Sequence, residues 1–145
     1  MNSDTIKLLN ECDAGVKMGI SSLKEVIPYI EDTHLKSLIA SSIATHTAIE
    51  NDITDLLYEY NDSGKEPNPM AKSMSFIKIK SKLALTDKPD ATVASLITDG
   101  CNMGVKSLNK YINQYPSASY KVCNVAEKII AAENNLVNDL KKHLK

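Results

Sequence analysis

Apolar residues return every three or four positions along almost the whole chain, the spacing of a helix that buries one face. A first segment keeps it through Ile6, Leu9, Val16, Ile20, Leu23, Ile27 and Ile30, and a second through Leu35, Ile39, Ile49, Ile53, Leu56 and Tyr60. A third uses Val93, Ile97, Leu108, Tyr111 and Tyr115, and a fourth Val125, Ile129, Leu136, Leu140 and Leu144. Strands would scatter these residues over both faces of a sheet. Start signals precede each segment: Ser3 and Asp4, Asp32 and Thr33, Pro89 and Asp90, Pro116 and Ser117. Pro28 falls inside the first pattern and is expected to kink its last turn. Each helix is predicted to run roughly 22–29 residues, about 33–44 Å.

The joints Glu31-Asp32-Thr33 and around Pro116 are short, which predicts two antiparallel hairpins. The middle is different. Asn61-Asp62-Ser63-Gly64-Lys65-Glu66-Pro67-Asn68-Pro69 reads as a loop, after which Met70 to Leu85 must cross back. Phe76-Ile77-Lys78-Ile79-Lys80 alternates like a strand, but a lone strand has nothing to pair with, so a short fifth helix is expected. The hairpins also repeat. Gly15-Val16-Lys17-Met18-Gly19-Ile20-Ser21-Ser22-Leu23 matches Gly100-Cys101-Asn102-Met103-Gly104-Val105-Lys106-Ser107-Leu108 at an offset of 85. Ile49-Glu50-Asn51 with Ile53 and Leu57 matches Ala132-Glu133-Asn134 with Leu136 and Leu140 at an offset of 83. The expectation is a single all-α domain over residues 1–145: an up-down-down-up four-helix bundle with a short crossover helix between its second and third helices, the ferritin-like arrangement.

The chain resembles a bacterial ferritin-like bundle family whose own function is not established. Members carry a motif near DG-E-E-G in the first helix and near RG-E-D in the third. Asp13-Ala14-Gly15-Val16-Lys17 and Asp99-Gly100-Cys101-Asn102 stand in those places here. The resemblance spans nearly the whole chain in length and helix order. It implies a fold and supplies no reaction.

A ferritin-like di-iron site takes a Glu from each of two helices and a Glu-x-x-His from each of the other two. The family's Glu positions in the first and third helices hold Val16 and Cys101, neither a hard oxygen donor. Glu50 and Glu133 keep the carboxylates of the second and fourth, but Ile53 and Leu136 stand where the His belong. No iron and no other cofactor is therefore expected. His46, Glu50, Glu133 and Asp13 remain as weak metal candidates, with His46 four residues before Glu50 on one helix face. Three outcomes are open for them: a low-affinity divalent site, a buried His–Glu hydrogen-bonded network, or a solvated edge with Glu50 outward.

Gly15, Gly19, Gly100 and Gly104 form two GxxxG pairs inside predicted helices, each Gly costing ~1 kcal/mol against Ala. The expected offset is close packing of the first helix on the third, Gly15 near Gly100, with a pocket floor or dimer face as the alternative. Cys12 and Cys101 are expected to face the interior and to approach one another. His34 lies beside a loop, and His143 reads as a cation in a last helical turn. No nucleophile–base pair and no phosphate loop is visible, so a non-catalytic protein that binds a partner or self-assembles is expected. The alternative is a residual metal, redox or stress-related protein.

Composition closes other doors. All 17 basic residues are Lys, so no guanidinium clamp is available. A net charge of −1 and 5% aromatics without Trp argue against a nucleic-acid platform. Cys12, Cys101 and Cys123 lack the spacing of a disulfide framework or a zinc knuckle. No basic-then-apolar leader opens the chain and no apolar run reaches ~18 residues, so a cytoplasmic, non-membrane protein is expected. Lys72, Lys78, Lys80, Lys82 and Lys88 cluster in and beside the crossing segment, which suits an acidic protein partner. Leu38, Leu57, Ile130 and Tyr58 widen the apolar stripes beyond one seam, which suits a homodimer.

Overall fold

Local capping decides where each helix begins in the computed structural model, which describes residues 2–145. Asn2 caps α1 (Ser3–Val26), its side chain accepting from the Thr5 amide at 2.8 Å. The cap is thus one residue earlier than Ser3. Asp32 caps α2 (Thr33–Glu59), accepting from the His34 and Leu35 amides at 2.7 and 3.1 Å. Asn68 caps α3 (Pro69–Leu85) in the same way, with Pro69 at the first helical position. α4 (Pro89–Gln114) starts on Pro89 without a side-chain cap. α5 (Tyr120–Leu140) starts later than Pro116 and Ser117 suggest. Here α1 holds the preceding turn: Ser117 N donates to Asp4 at 3.0 Å and Ser119 N to Thr5 Oγ1 at 2.9 Å.

The first and fourth stripes end sooner than periodicity suggests. Pro28 lacks an amide hydrogen, so α1 stops at Val26 and Ile27–Tyr29 tighten into a 3₁₀ turn instead of a kinked last turn. A second such turn, Lys141–His143, follows α5 and leaves Leu144 outside the helix.

The protein is all-α, with no strand among the described residues. The Phe76–Lys80 alternation lies inside α3, which buries Ile79 and Leu83, four apart, and exposes Ile77. α1 packs on α2, α4 and α5, and α5 also packs on α2 and α4; α3 lies against α1 and α4. Polar ties fix the ends. At one end Asn2 Nδ2 donates to the Ser117 carbonyl at 2.8 Å, and the Tyr60 and Ser119 hydroxyls meet at 3.4 Å. At the other, Asp90 accepts from the Glu31 and Asp32 amides at 2.8 and 3.0 Å. α1 and α5 therefore begin at the first end, and α2 and α4 at the second. The chain between α2 and α4 climbs along α1: the Lys65 amide bonds Asp13, and Lys80 Nζ lies 3.6 Å from Glu25.

The interior has two apolar clusters. One gathers Leu8, Leu9, Cys12, Val16, Ile53, Val122 and Ile129; the other gathers Leu23, Val26, Leu35, Ile39, Val93, Cys101 and Leu140. Asp13 and His46 are each only 1% exposed: His46 lies between the clusters, and Asp13 beside the first, flanked on α1 by Cys12 and Val16.

The glycines do not make a helix-on-helix contact surface. Gly15 and Gly100 are exposed, and a Cβ on either would meet nothing within 4 Å. Gly19 instead makes room for a side chain: a Cβ there would stand 3.3 Å from the His46 ring. Gly104 faces Glu133, 3.8 Å from the same construction. Gly15→Ala and Gly100→Ala are accordingly expected to stabilise the protein by about 0.4–1 kcal/mol each, since both sites are helical and open. Gly19→Leu is expected to destabilise it by about 1–3 kcal/mol through overpacking on His46. Denaturant melts of the three variants test this; a loss in either alanine variant would mean those faces are covered.

Candidate functional site

The four sequence candidates form two separate groups, His46 with Glu133 between the apolar clusters and Asp13 with Glu50 beside the first of them. His46, on α2, does not pair with Glu50 one turn away. It reaches across to Glu133 on α5, its Nε2 against a carboxylate oxygen. Its Nδ1 donates to the Ser42 carbonyl at 2.7 Å. A carbonyl only accepts, so Nδ1 carries a hydrogen, and Nε2 needs a second proton to bond a carboxylate. Burial pushes the His46 imidazole down, but the bond to Glu133, its charge and the Ser42 carbonyl outweigh that, and His46 ends above its ordinary value of 6.5. The pair is an imidazolium–carboxylate bridge. Glu133 also faces the Cys101 thiol, which burial and this carboxylate push far up.

The second group joins α1, α2 and the crossing loop. Asp13 Oδ2 accepts from Lys17 Nζ and from the Lys65 amide, each at 2.9 Å. Burial alone pushes this carboxyl up; bonds from Glu50, Lys17 and Lys65 bring it below 3.8. Glu50 moves the other way, from 4.5 to about 8, through burial first and then its bond to Asp13 and that carboxylate's charge. Glu50 is thus a neutral acid at pH 7, its proton shared with Asp13. That gives a partner to Asp13 Oδ1 and to one Glu50 oxygen, while the second Glu50 oxygen stays buried without one. Lys17 is held by Asp13 and by Glu66 at 3.1 Å. The loop closes over the group at Gly64, whose φ of +84° suits glycine and where a Cβ would strike the Asp13 carboxylate.

These donors do not converge on one point. Among the described residues, the one set of three His, Cys, Asp or Glu whose ligand atoms lie within 4.8 Å of one another is Asp32, His34 and His143, at the far end of the molecule. The thiols do not converge either. Cys12 lies in one apolar cluster and Cys101 in the other, and the thiol beside Cys12 is Cys123. Burial pushes Cys12 up to about 12, which leaves it a protonated, unreactive thiol. Nothing in the spacing of His34 and His143 joins them; only the order of helix ends does.

No family model matches this chain, and neither does any curated protein or solved structure.

Glu50 and His46 give stability the same pH dependence, whereas Asp13, held below 3.8, gives the opposite one, its contribution lost as pH falls through its folded value. Folded Glu50 keeps a proton that the unfolded chain loses above 4.5, so its contribution falls as pH rises from 4.5 to about 8. His46 contributes fully below 6.5, and its contribution is lost as pH rises through its higher folded value. Glu50→Gln is expected to match the parent at pH 4 and to exceed it increasingly toward pH 8. A gap that does not grow with pH in urea melts would refute the shared proton. NMR titration should place the His46 midpoint above 6.5 in the parent and lower in Glu133→Gln.

Proposed function

We propose that this protein is a ferritin-like, up-down-down-up four-helix bundle with α3 as its crossover helix, and that it is a non-catalytic binding protein whose interior polar layer serves the fold. The single observation that carries the reading is the His46–Glu133 bridge. It uses the hydrogen of Nδ1 on Ser42 and that of Nε2 on Glu133, so neither ring nitrogen offers a lone pair. The donor set does not fit a di-iron centre. Val16 and Cys101 replace two carboxylates, Ile53 and Leu136 replace two imidazoles, and the Lys17 ammonium already neutralises Asp13. Protein purified without a His-tag is expected to hold no stoichiometric iron; about two irons per chain with ferroxidase activity would overturn the reading.

The binding face is the outer side of α3. Met70, Met74, Ile77 and Leu85 are 64–88% exposed there, among Lys72, Lys78, Lys80 and Lys82. Of these lysines only Lys80 has an ion-pair partner among the described residues, Glu25. An apolar stripe edged by lysines suits an acidic protein surface, whereas a second α3 would bring like charges together. The flanks that suggested a dimer are mostly absorbed: Leu57 is buried, Leu38 and Ile130 are half-buried, and Tyr58 alone stays exposed. Light scattering over a wide dilution series is expected to give 15.9 kDa throughout. A larger mass that falls in Ile77→Lys would show that a second copy, not an acidic partner, covers α3.

A further inference from the structure

We propose that Asp32, His34 and His143 form a site for a divalent transition-metal ion of zinc-like chemistry, which staples the C-terminal turn to the start of α2. The inference is independent of the function proposed above, since none of these residues enters the interior layer or α3. His34 Nδ1 and His143 Nε2 face each other at 2.9 Å, with the rings stacked at 5.1 Å between centroids and 23° between planes. The two residues are 109 apart in sequence, so the fold alone brings the nitrogens together. Two imidazoles meeting through ring nitrogens must share one hydrogen between two lone pairs. A cation in place of that hydrogen uses both lone pairs. It requires that His34 carry its hydrogen on Nε2 and His143 on Nδ1, the tautomers that leave both facing nitrogens bare.

The third donor is already oriented. Both cap bonds of Asp32, from the His34 and Leu35 amides, fall on Oδ1, which leaves Oδ2 for the ion. All three ligand atoms lie within 4.8 Å of one another. Tetrahedral zinc with bonds of ~2.0–2.2 Å sets its donors ~3.3 Å apart, so the nitrogens part slightly and the carboxylate closes in. A hollow of about 240 Å³ opens beside His34, edged also by Leu38, Asn138 and Asp139, so this end of the molecule is open to water. Lys141 and Lys142 border the same hollow and oppose a cation; Asp32 and Asp139 answer them. Two imidazoles and one carboxylate select zinc, copper, nickel or cobalt over magnesium and calcium.

The probe is zinc chloride titrated into full-length protein without a tag, followed by calorimetry and by thermal melting. The expected result is one ion per chain and a melting temperature that rises with zinc. His34→Gln and His143→Gln should each weaken binding by at least ~10–100-fold, the worth of even an outer-shell group. Both side chains lie at the surface, so unchanged circular dichroism will show that the variants fold. Absence of zinc binding would overturn the proposal, as would binding that survives in the double variant, because that would place the ion on the thiols or on His46. Iron content, the test of the proposed function, bears on neither result.

Discussion

The imidazolium–carboxylate bridge between His46 and Glu133 is the constraint around which the interior is arranged. It crosses from α2 to α5 between the two apolar clusters. A buried pair of this kind adds little net stability over apolar residues of the same shape, because desolvation of both groups offsets their attraction. Losing one partner is another matter, costing about 3–5 kcal/mol, since the remaining charge stays buried alone. The bridge therefore acts through what it forbids. Any slip of α2 along α5 would leave a buried charge unpaired, whereas the Leu, Ile and Val contacts around it tolerate a slip more easily. Gly19 belongs to this arrangement, because a larger residue there would press on the imidazole ring.

Asp13 plays the corresponding part for the chain between α2 and α4. That chain has little apolar surface to hold it, α3 burying only Ile79 and Leu83. Polar anchors take over: the Lys65 amide on Asp13, Lys17 between Asp13 and Glu66, and the Gly64 turn against the carboxylate. Each needs Asp13 ionised. The neutral Glu50 beside it makes that possible, because two adjacent buried carboxylates would not both ionise.

Much of this was legible in the sequence, and the misses share a cause. The five helices follow from apolar spacing, loop residues and Asp32 as a cap. Pro28 was read as a kink and proved a terminator, because one missing amide bond near a helix end suffices to stop it. The GxxxG pairs were read as contact surfaces, but a one-dimensional pattern does not say what stands opposite a glycine: open solvent at Gly15, an imidazole at Gly19. His46, Glu50, Glu133 and Asp13 stand out in the sequence as weak metal candidates, with a buried His–Glu network as one of three open outcomes, but spacing does not give their partners. Helical spacing pairs His46 with Glu50 on one face, while the lower-energy match for an imidazolium lay on another helix. His34 and His143 were invisible together for the same reason.

The two sequence repeats show how far neighbours decide chemistry. Glu50 and Glu133 align in the two similar stretches of sequence, and so do Asp13 and Thr98, by the offset of 85 that aligns Gly15 with Gly100. A carboxylate set against an acid takes up a proton, and Glu50 does so. The place equivalent to His46 in the other hairpin is Ile129, at the offset of 83, so Glu50 has no imidazole to meet. Glu133 has one, in His46. The interior then pairs Asp13 with Lys17 and Glu133 with His46. A divalent cation entering it would have to displace an ammonium or protons held in hydrogen bonds away from bulk water. Of the three carboxyl groups that would attract a metal in isolation, Asp13 and Glu133 are already paired by the chain itself, and Glu50 holds its own proton.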